Sequence, residues 1–198
     1  TLSNADIRVQ LNNGRLNADI AQLSTFGGRW SGTVGLAAAR SVPRLSLALT
    51  GDSILMEDLM QTLAGLDRLS GVGQFSLDIS SVGASIHDIM NNLDGELSAD
   101  LADGALKGFN LGQLFRTTGN LREALTSGNL NLGISPNDQT DFASFDTLLS
   151  ITDGVADIRA LDLVNSALSA RGDGTVDLGA QTLNVGLQFA ADATGRGR

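Results

Sequence analysis

The stretch IRVQLNNGRLNADI, residues 7–20, alternates apolar and polar side chains on both sides of Asn13-Gly14. Asn-Gly is the favoured pair for a two-residue type I′ hairpin turn, because both positions need positive φ. With that pair as the loop, Leu11 faces Leu16, Val9 faces Ala18 and Ile7 faces Ile20. All six share one face. Arg8 then opposes Asp19 on the other face, a favourable cross-strand pair. Turn chemistry, alternation and charge pairing give one register and one antiparallel hairpin.

The same pattern recurs along the chain. Around Asp103-Gly104, a hairpin would set Leu101 against Leu106 and Asp100 against Lys107. Around Asp153-Gly154, Ile151 faces Ala156 and Leu149 faces Ile158. Ala180-Gln181 is a poorer turn pair, where Leu178 would face Leu183 and Val176 would face Val185. Other alternating runs are Trp30-Val34-Leu36, Leu45-Leu47-Leu49, Phe75-Leu77-Ile79, Leu130-Leu132-Ile134 and Leu183-Val185-Leu187-Phe189. The polar segment Ser135–Thr140 reads as a loop. Three intervals have helical spacing. Ile54 to Leu63 places Leu55, Leu59 and Leu63 on one stripe. Ser85 to Leu93 has Ser85 as cap, Asp88 near the positive helix end and Ile86, Ile89, Met90 and Leu93 on one face. Asn110 to Leu125 carries Leu111, Leu114, Phe115, Leu121 and Leu125, with Gly119 as a break.

Composition narrows the function. The 198 residues are 42% hydrophobic and 18% charged, which describes a folded chain. A net charge of −9 disfavours nucleic acid as a partner, since that surface needs a basic field. No cysteine is present, which removes disulfides and thiol chemistry, and a single histidine rules out a multi-histidine metal site. No apolar run approaches the roughly 20 residues of a membrane-spanning helix. The chain starts at Thr1 in what reads as a strand, so it is expected to be a piece of a longer protein.

No motif carries chemistry. Gly71-Val72-Gly73 runs into a strand and reads as a bend or bulge, not a phosphate loop. Arg171-Gly172-Asp173 reads as a turn or bulge. Of Asp94, Asp100, Asp103, Asp153, Asp173 and Asp177, most sit beside glycine, where turns account for them. His87 reads as a solvated or capping side chain on the second helix. The chain is expected to be non-enzymatic, with no cofactor and no metal.

The segments LMQTLAG (residues 59–65), RLSGVGQFSLDISSVGAS (68–85) and NLDGELSADLADGALKGFNL (92–111) resemble the AsmA family of bacterial envelope proteins. Leu93 to Leu111 is the most specific part. The tail from Phe142 to Phe189 is similar to the family's closing hairpins, and the likeness is strongest from Leu45 to Arg116.

The resemblance implies one C-terminal AsmA-like domain over residues 1–198. Its fold would be α+β: mostly antiparallel sheet of repeated hairpins, curved into a groove or taco-like sheet, with about three short amphipathic helices. It implies a periplasmic location, an inner-membrane anchor upstream of this chain, and a role in outer-membrane biogenesis. Phospholipid is the implied partner, its acyl chains shielded in the groove during transport between membranes. The lipid-facing candidates are Ile7, Val9, Leu11, Leu16, Ile20, Trp30, Val34, Phe75, Leu77, Leu183, Val185 and Leu187. The alternative is a structural or interaction module that influences outer-membrane protein assembly through envelope protein partners. Periodicity alone does not separate a lipid-filled face from a helix-covered core.

Overall fold

The computed structural model describes residues 3–38, 41–65, 67–113, 134–166 and 168–191. The described residues form ten strands: β1 (Ser3–Asn12), β2 (Arg15–Thr25), β3 (Gly28–Ala37), β4 (Arg44–Leu55), β5 (Leu69–Val82), β6 (Asp94–Phe109), β7 (Ile134–Thr152), β8 (Val155–Val164), β9 (Leu168–Asp177) and β10 (Thr182–Ala191). Each pairs antiparallel with its chain neighbours in one open sheet, so sequence order is spatial order. Among the described residues, the meander is interrupted by α1 (Met56–Ala64) between β4 and β5 and α2 (Ile86–Asn91) between β5 and β6.

The first hairpin has the register read from its sequence, with Leu11 against Leu16, Val9 against Ala18, Ile7 against Ile20 and Arg8 against Asp19. Asn13 and Gly14 have φ of 48° and 72°, as a type I′ turn requires. Asp153 and Gly154 repeat this at 48° and 75°, and set Ile151 against Ala156 and Leu149 against Ile158.

Asp103-Gly104 is not a turn. β6 runs straight through it, pairing with β5 on one side and β7 on the other. Asp103 has φ of 49°, but the pair forms a bulge opposite Gly71, between Ser70–Ala105 and Val72–Ala102. Leu101 therefore faces Gly73 and Phe145, and Asp100 faces Gln74 and Asp146. Lys107 instead reaches Glu57 on α1, with 2.8 Å between Nζ and Oε1. The bulge reading of Gly71 to Gly73 fits this geometry.

Ser135–Thr140 is strand, not loop. Gln139 and Thr140 pair with Lys107 and Leu106. The buried Thr140 hydroxyl donates to the Phe109 carbonyl at 2.8 Å and accepts the Leu111 N–H at 2.9 Å. The last hairpin has a wider loop, Leu178–Gln181, so Leu183 faces Val176 and Val185 faces Gly174. Leu178 is drawn away because it packs against Leu93 and Ile151, and its N–H donates to the Gly154 carbonyl at 2.9 Å. The offset is two residues, so the same side chains stay on the same face.

The first helix starts at Met56, since Ile54 still pairs with Gly73 in the sheet. Of its described side chains Met56 and Leu59 are buried and Leu55, expected on the same stripe, is exposed; the Leu63 side chain lies outside those described. α2 has the expected cap. The Asp88 N–H donates to Ser85 Oγ at 3.1 Å and the Ser85 N–H donates to Asp88 Oδ2 at 3.2 Å. The third helix is described only as one turn at residues 111–113; its remainder, with Leu130 and Leu132, lies outside the described residues.

Two apolar clusters hold the ends of the sheet. One joins Trp30, Ile54, Met56, Leu59, Leu101, Leu111, Phe142, Leu163 and Leu168 around α1. The other joins Leu93, Ile151 and Ala156, with Ile79, Leu149, Val176 and Leu178 against them. Ile54 is 1% exposed, so Ile54→Ala is expected to lower stability by about 2–5 kcal/mol. Urea unfolding followed by the fluorescence of Trp30, the single tryptophan, measures it.

The Ser85 hydroxyl holds the Asp88 carboxyl below its ordinary value. A depressed carboxyl stabilises the fold above the unfolded value and loses that contribution as pH falls through the folded one. α2 should therefore keep its amide protection from neutrality down to the ordinary carboxylate range and lose it only below that range. Hydrogen exchange at Ile89 and Asn92 measures this. Ser85→Ala should remove the protection at every pH.

Candidate functional site: an apolar face spanning the sheet

Cross-strand register carries single rows of side chains from one sheet edge to the other. Ile7, Ile20, Gly32, Leu49, Leu77, Leu97, Leu149, Ile158, Gly174 and Val185 form one row, each facing the next across the pairings. Val9, Ala18, Val34, Leu47, Ile79, Gly95, Ile151, Ala156, Val176 and Leu183 form the next. Neither row contains a polar side chain. With strands about 4.8 Å apart, each row is about 43 Å long. Side chains alternate between faces, so both rows lie on one side of the sheet.

The helices cover this face from its two ends. α1 lies over the row of Leu23, Trp30, Gly51 and Phe75. Trp30 is 7% exposed and meets Phe75 edge-on at 5.8 Å between ring centroids. Its indole N–H has no partner among the described residues. At the other end the Ser81 hydroxyl donates to the Ile89 carbonyl of α2 at 2.7 Å. Leu93, just past that helix, covers Ile151 and Ala156.

Between these ends the first row stays partly open. Ile20, Leu49, Leu77, Leu97, Leu149, Ile158 and Val185 are all half-buried. The opening widens towards β1, where Ile7, Val9 and Leu11 are 45%, 58% and 75% exposed. Leu36 and Leu183 are also exposed. At two positions the row has no side chain. Gly32 and Gly174 have φ of 143° and 145°, and a Cβ would run into the Ala48 or Asn184 carbonyl oxygen. Such backbone is open to glycine alone.

All of the candidate residues lie on this one face: Ile7, Val9, Leu11, Leu16, Ile20, Trp30, Val34, Phe75, Leu77, Leu183, Val185 and Leu187. Trp30 differs from the rest in being buried, packed with its neighbour Phe75 beneath α1. Sequence reasoning missed Leu97 as a member of the row. Its signal was the alternation of GELSADL, obscured by reading a turn at Asp103.

The opposite face is polar and contains a like-charge line. Asp100 faces Asp146, which faces Asp162, which faces Arg171. Arg171 Nε lies 2.8 Å from Asp162 Oδ1, and Arg171-Gly172-Asp173 lies within β9 where its pairing with β8 shifts register, which fits the bulge reading and not the turn. His87 is exposed and lies beside the Asn91 amide. Among the described residues no cluster of three His, Asp or Glu is placed to hold a metal ion. No helix among them is long and apolar enough to cross a membrane.

Asp146 sits between two carboxylates, and like charges directly opposite oppose pairing. Asp146→Asn is expected to raise stability by about 0.5 kcal/mol, with the gain shrinking as salt is added. Gly174→Ala should lower it by more than about 1 kcal/mol, because the backbone there is closed to a side chain. Paired thermal melts at low and high salt measure both.

No curated protein and no solved structure matches the chain. The profile of the AsmA family matches residues 1–161, most of the chain. The hairpin meander and the family match agree with the likeness read from Leu45 to Arg116, and this chain belongs to the AsmA family.

Proposed function

We propose that this chain is a non-enzymatic, periplasmic part of an envelope protein that shields phospholipid acyl chains along its apolar face during transport between membranes. Family membership supports envelope biogenesis or lipid transport at the family level. The observation that carries the finer reading is the half-buried row from Ile7 to Val185, apolar across all ten strands. An ordinary core would close over such a row. Here the two helices hold the ends and leave the centre and the β1 side open.

The physics suits a lipid that slides. Each methylene removed from water contributes about 0.8 kcal/mol, so about ten covered methylenes contribute about 8 kcal/mol. The rows present no polar group that would fix the chain's position along them. A bound acyl chain can move one strand spacing while keeping nearly the same contacts. The size of the sheet supports a concave arrangement, since open twisted sheets of about ten strands tend to curl. An anchor in the inner membrane, upstream of this chain, belongs to the same proposal.

A second reading has one observation in its favour. Trp30, Ile54, Leu101, Ile151 and Ala156 are fully packed by protein, so part of the face is core. On that reading the chain is an interaction module affecting outer-membrane protein assembly.

Lipid mass spectrometry on protein purified without detergent separates the two. The expected result is near-stoichiometric phospholipid in the parent. It should be lost in a Leu11→Asp, Leu16→Asp variant whose Trp30 fluorescence shows a retained core. Leu183→Asp, at the other edge, should weaken retention less, because less open apolar surface surrounds it. A parent free of lipid would favour the interaction module.

A further inference from the structure

The polar face carries a concavity near the ends of β2 to β5, away from α1. Arg15, Ala37, Arg44 and Val82 face one another in register across these strands. Asn17, Gly35 and Ser46 form the next row. A cavity of ≈ 700 Å³ opens over both rows.

Charge singles this cavity out. The chain has a net charge of −9, yet among the described residues no acidic one borders the cavity and two arginines do. The ion pairs among the described residues engage Arg29, Lys107, Arg159 and Arg171. Arg15 and Arg44 take part in none of them. Ala37 between them is small and Gly35 has no side chain, so the floor stays open. Their Cα atoms are two strand spacings apart, about 10 Å, a gap that two arginine side chains can close around one anion. Guanidinium groups present a planar fork that matches phosphate oxygens. The Asn17 amide and Ser46 hydroxyl add neutral donors.

Its position ties it to the apolar face. Leu36 borders the cavity and also belongs to the row of Leu11, Leu16, Leu36 and Leu45 on the other side of the sheet. Those leucines are the last apolar row before the β1–β2 turn and the β3–β4 connection. A lipid whose acyl chains leave the face at this rim brings its headgroup to Arg15 and Arg44.

We propose that the cavity binds the phosphate of a glycerophospholipid whose acyl chains lie against the adjoining leucines. This rests on the lipid-shielding reading above.

Three probes test it by calorimetry: inorganic phosphate, a dihexanoyl phosphatidylglycerol below its micelle concentration, and uncharged dihexanoylglycerol. Each is titrated into the parent and into an Arg15→Gln, Arg44→Gln variant. Both arginines are exposed, so the variant keeps the fold, and a matching thermal melt checks this. The expected result is that the parent binds the phospholipid about tenfold or more tighter than the diacylglycerol. The variant should lose that advantage while binding diacylglycerol as before. An unchanged phospholipid affinity in the variant overturns the proposal, as does an equal loss for both acyl probes. Inorganic phosphate binding as tightly as the phospholipid reassigns the cavity to a free anion and overturns the headgroup assignment. Phosphate binding with neither acyl probe bound overturns the lipid reading itself, with the anion cavity retained.

Discussion

Register is the constraint on which the structure depends. Side chains in a strand alternate with a period of two, so a one-residue slip in any pairing would send every later apolar residue to the wrong face. Seven of the nine pairings contain a register shift. Even so, two rows cross the whole sheet without a polar interruption. Every shift lies on the α1 side of the row from Ile7 to Val185. The half of the sheet towards the Asn13-Gly14 turn is regular, and the half towards α1 is bulged. Bulges bend strands and increase twist, and they gather where Trp30, Ile54 and Leu163 form the larger core.

This division of labour explains the shape of the exposed apolar surface. The bulged half is packed by α1 and by its own aromatic residues. Among the described residues, the regular half is covered where α2 and Leu93 reach it, from β5 onward. What remains open is the central row and the broad leucine-rich area of β1 to β4. The polar face offers no such continuity. It is interrupted by the opposed carboxylates of Asp100, Asp146 and Asp162, and among the described residues two arginines without a carboxylate opposite, Arg15 and Arg44, make it basic at one end. A molecule with a long apolar part and a small anionic part fits this distribution of surface.

Local sequence was a good guide where one signal settled one structure. Asn13-Gly14 and Asp153-Gly154 place both residues at positive φ, and strict alternation on each side left one register. Asp103-Gly104 carries the same dipeptide signal and does something else. Only Asp103 takes positive φ there, which suits a bulge, and β6 continues because β5 and β7 flank it on both sides. That choice is made by long-range pairing, which no local window contains. Ser135–Thr140 misled for a related reason. Gln139 and Thr140 are held by pairing to Lys107 and Leu106 and by the Thr140 hydroxyl, not by apolar alternation, and residues 135–138 fall in the register shift between Gln139 and Ile134. The candidate face survived both errors, because its members were identified by parity within each strand. Leu97 was missed because its strand was cut in two, and the packing of Trp30 beneath α1 was invisible without the helix's position.

The central claim is that the open row meets lipid while its neighbours across the backbone do not. Photo-crosslinking in cells tests this directly, with a photoreactive amino acid placed at Leu97 or, one residue away, at Glu96. Leu97 belongs to the half-buried apolar row, whereas Glu96 faces Asp78 and Ser150 on the polar side. The account predicts phospholipid crosslinks at position 97 and background levels at 96. Equal crosslinking at both positions, or none at 97 in a protein that remains folded, would contradict it.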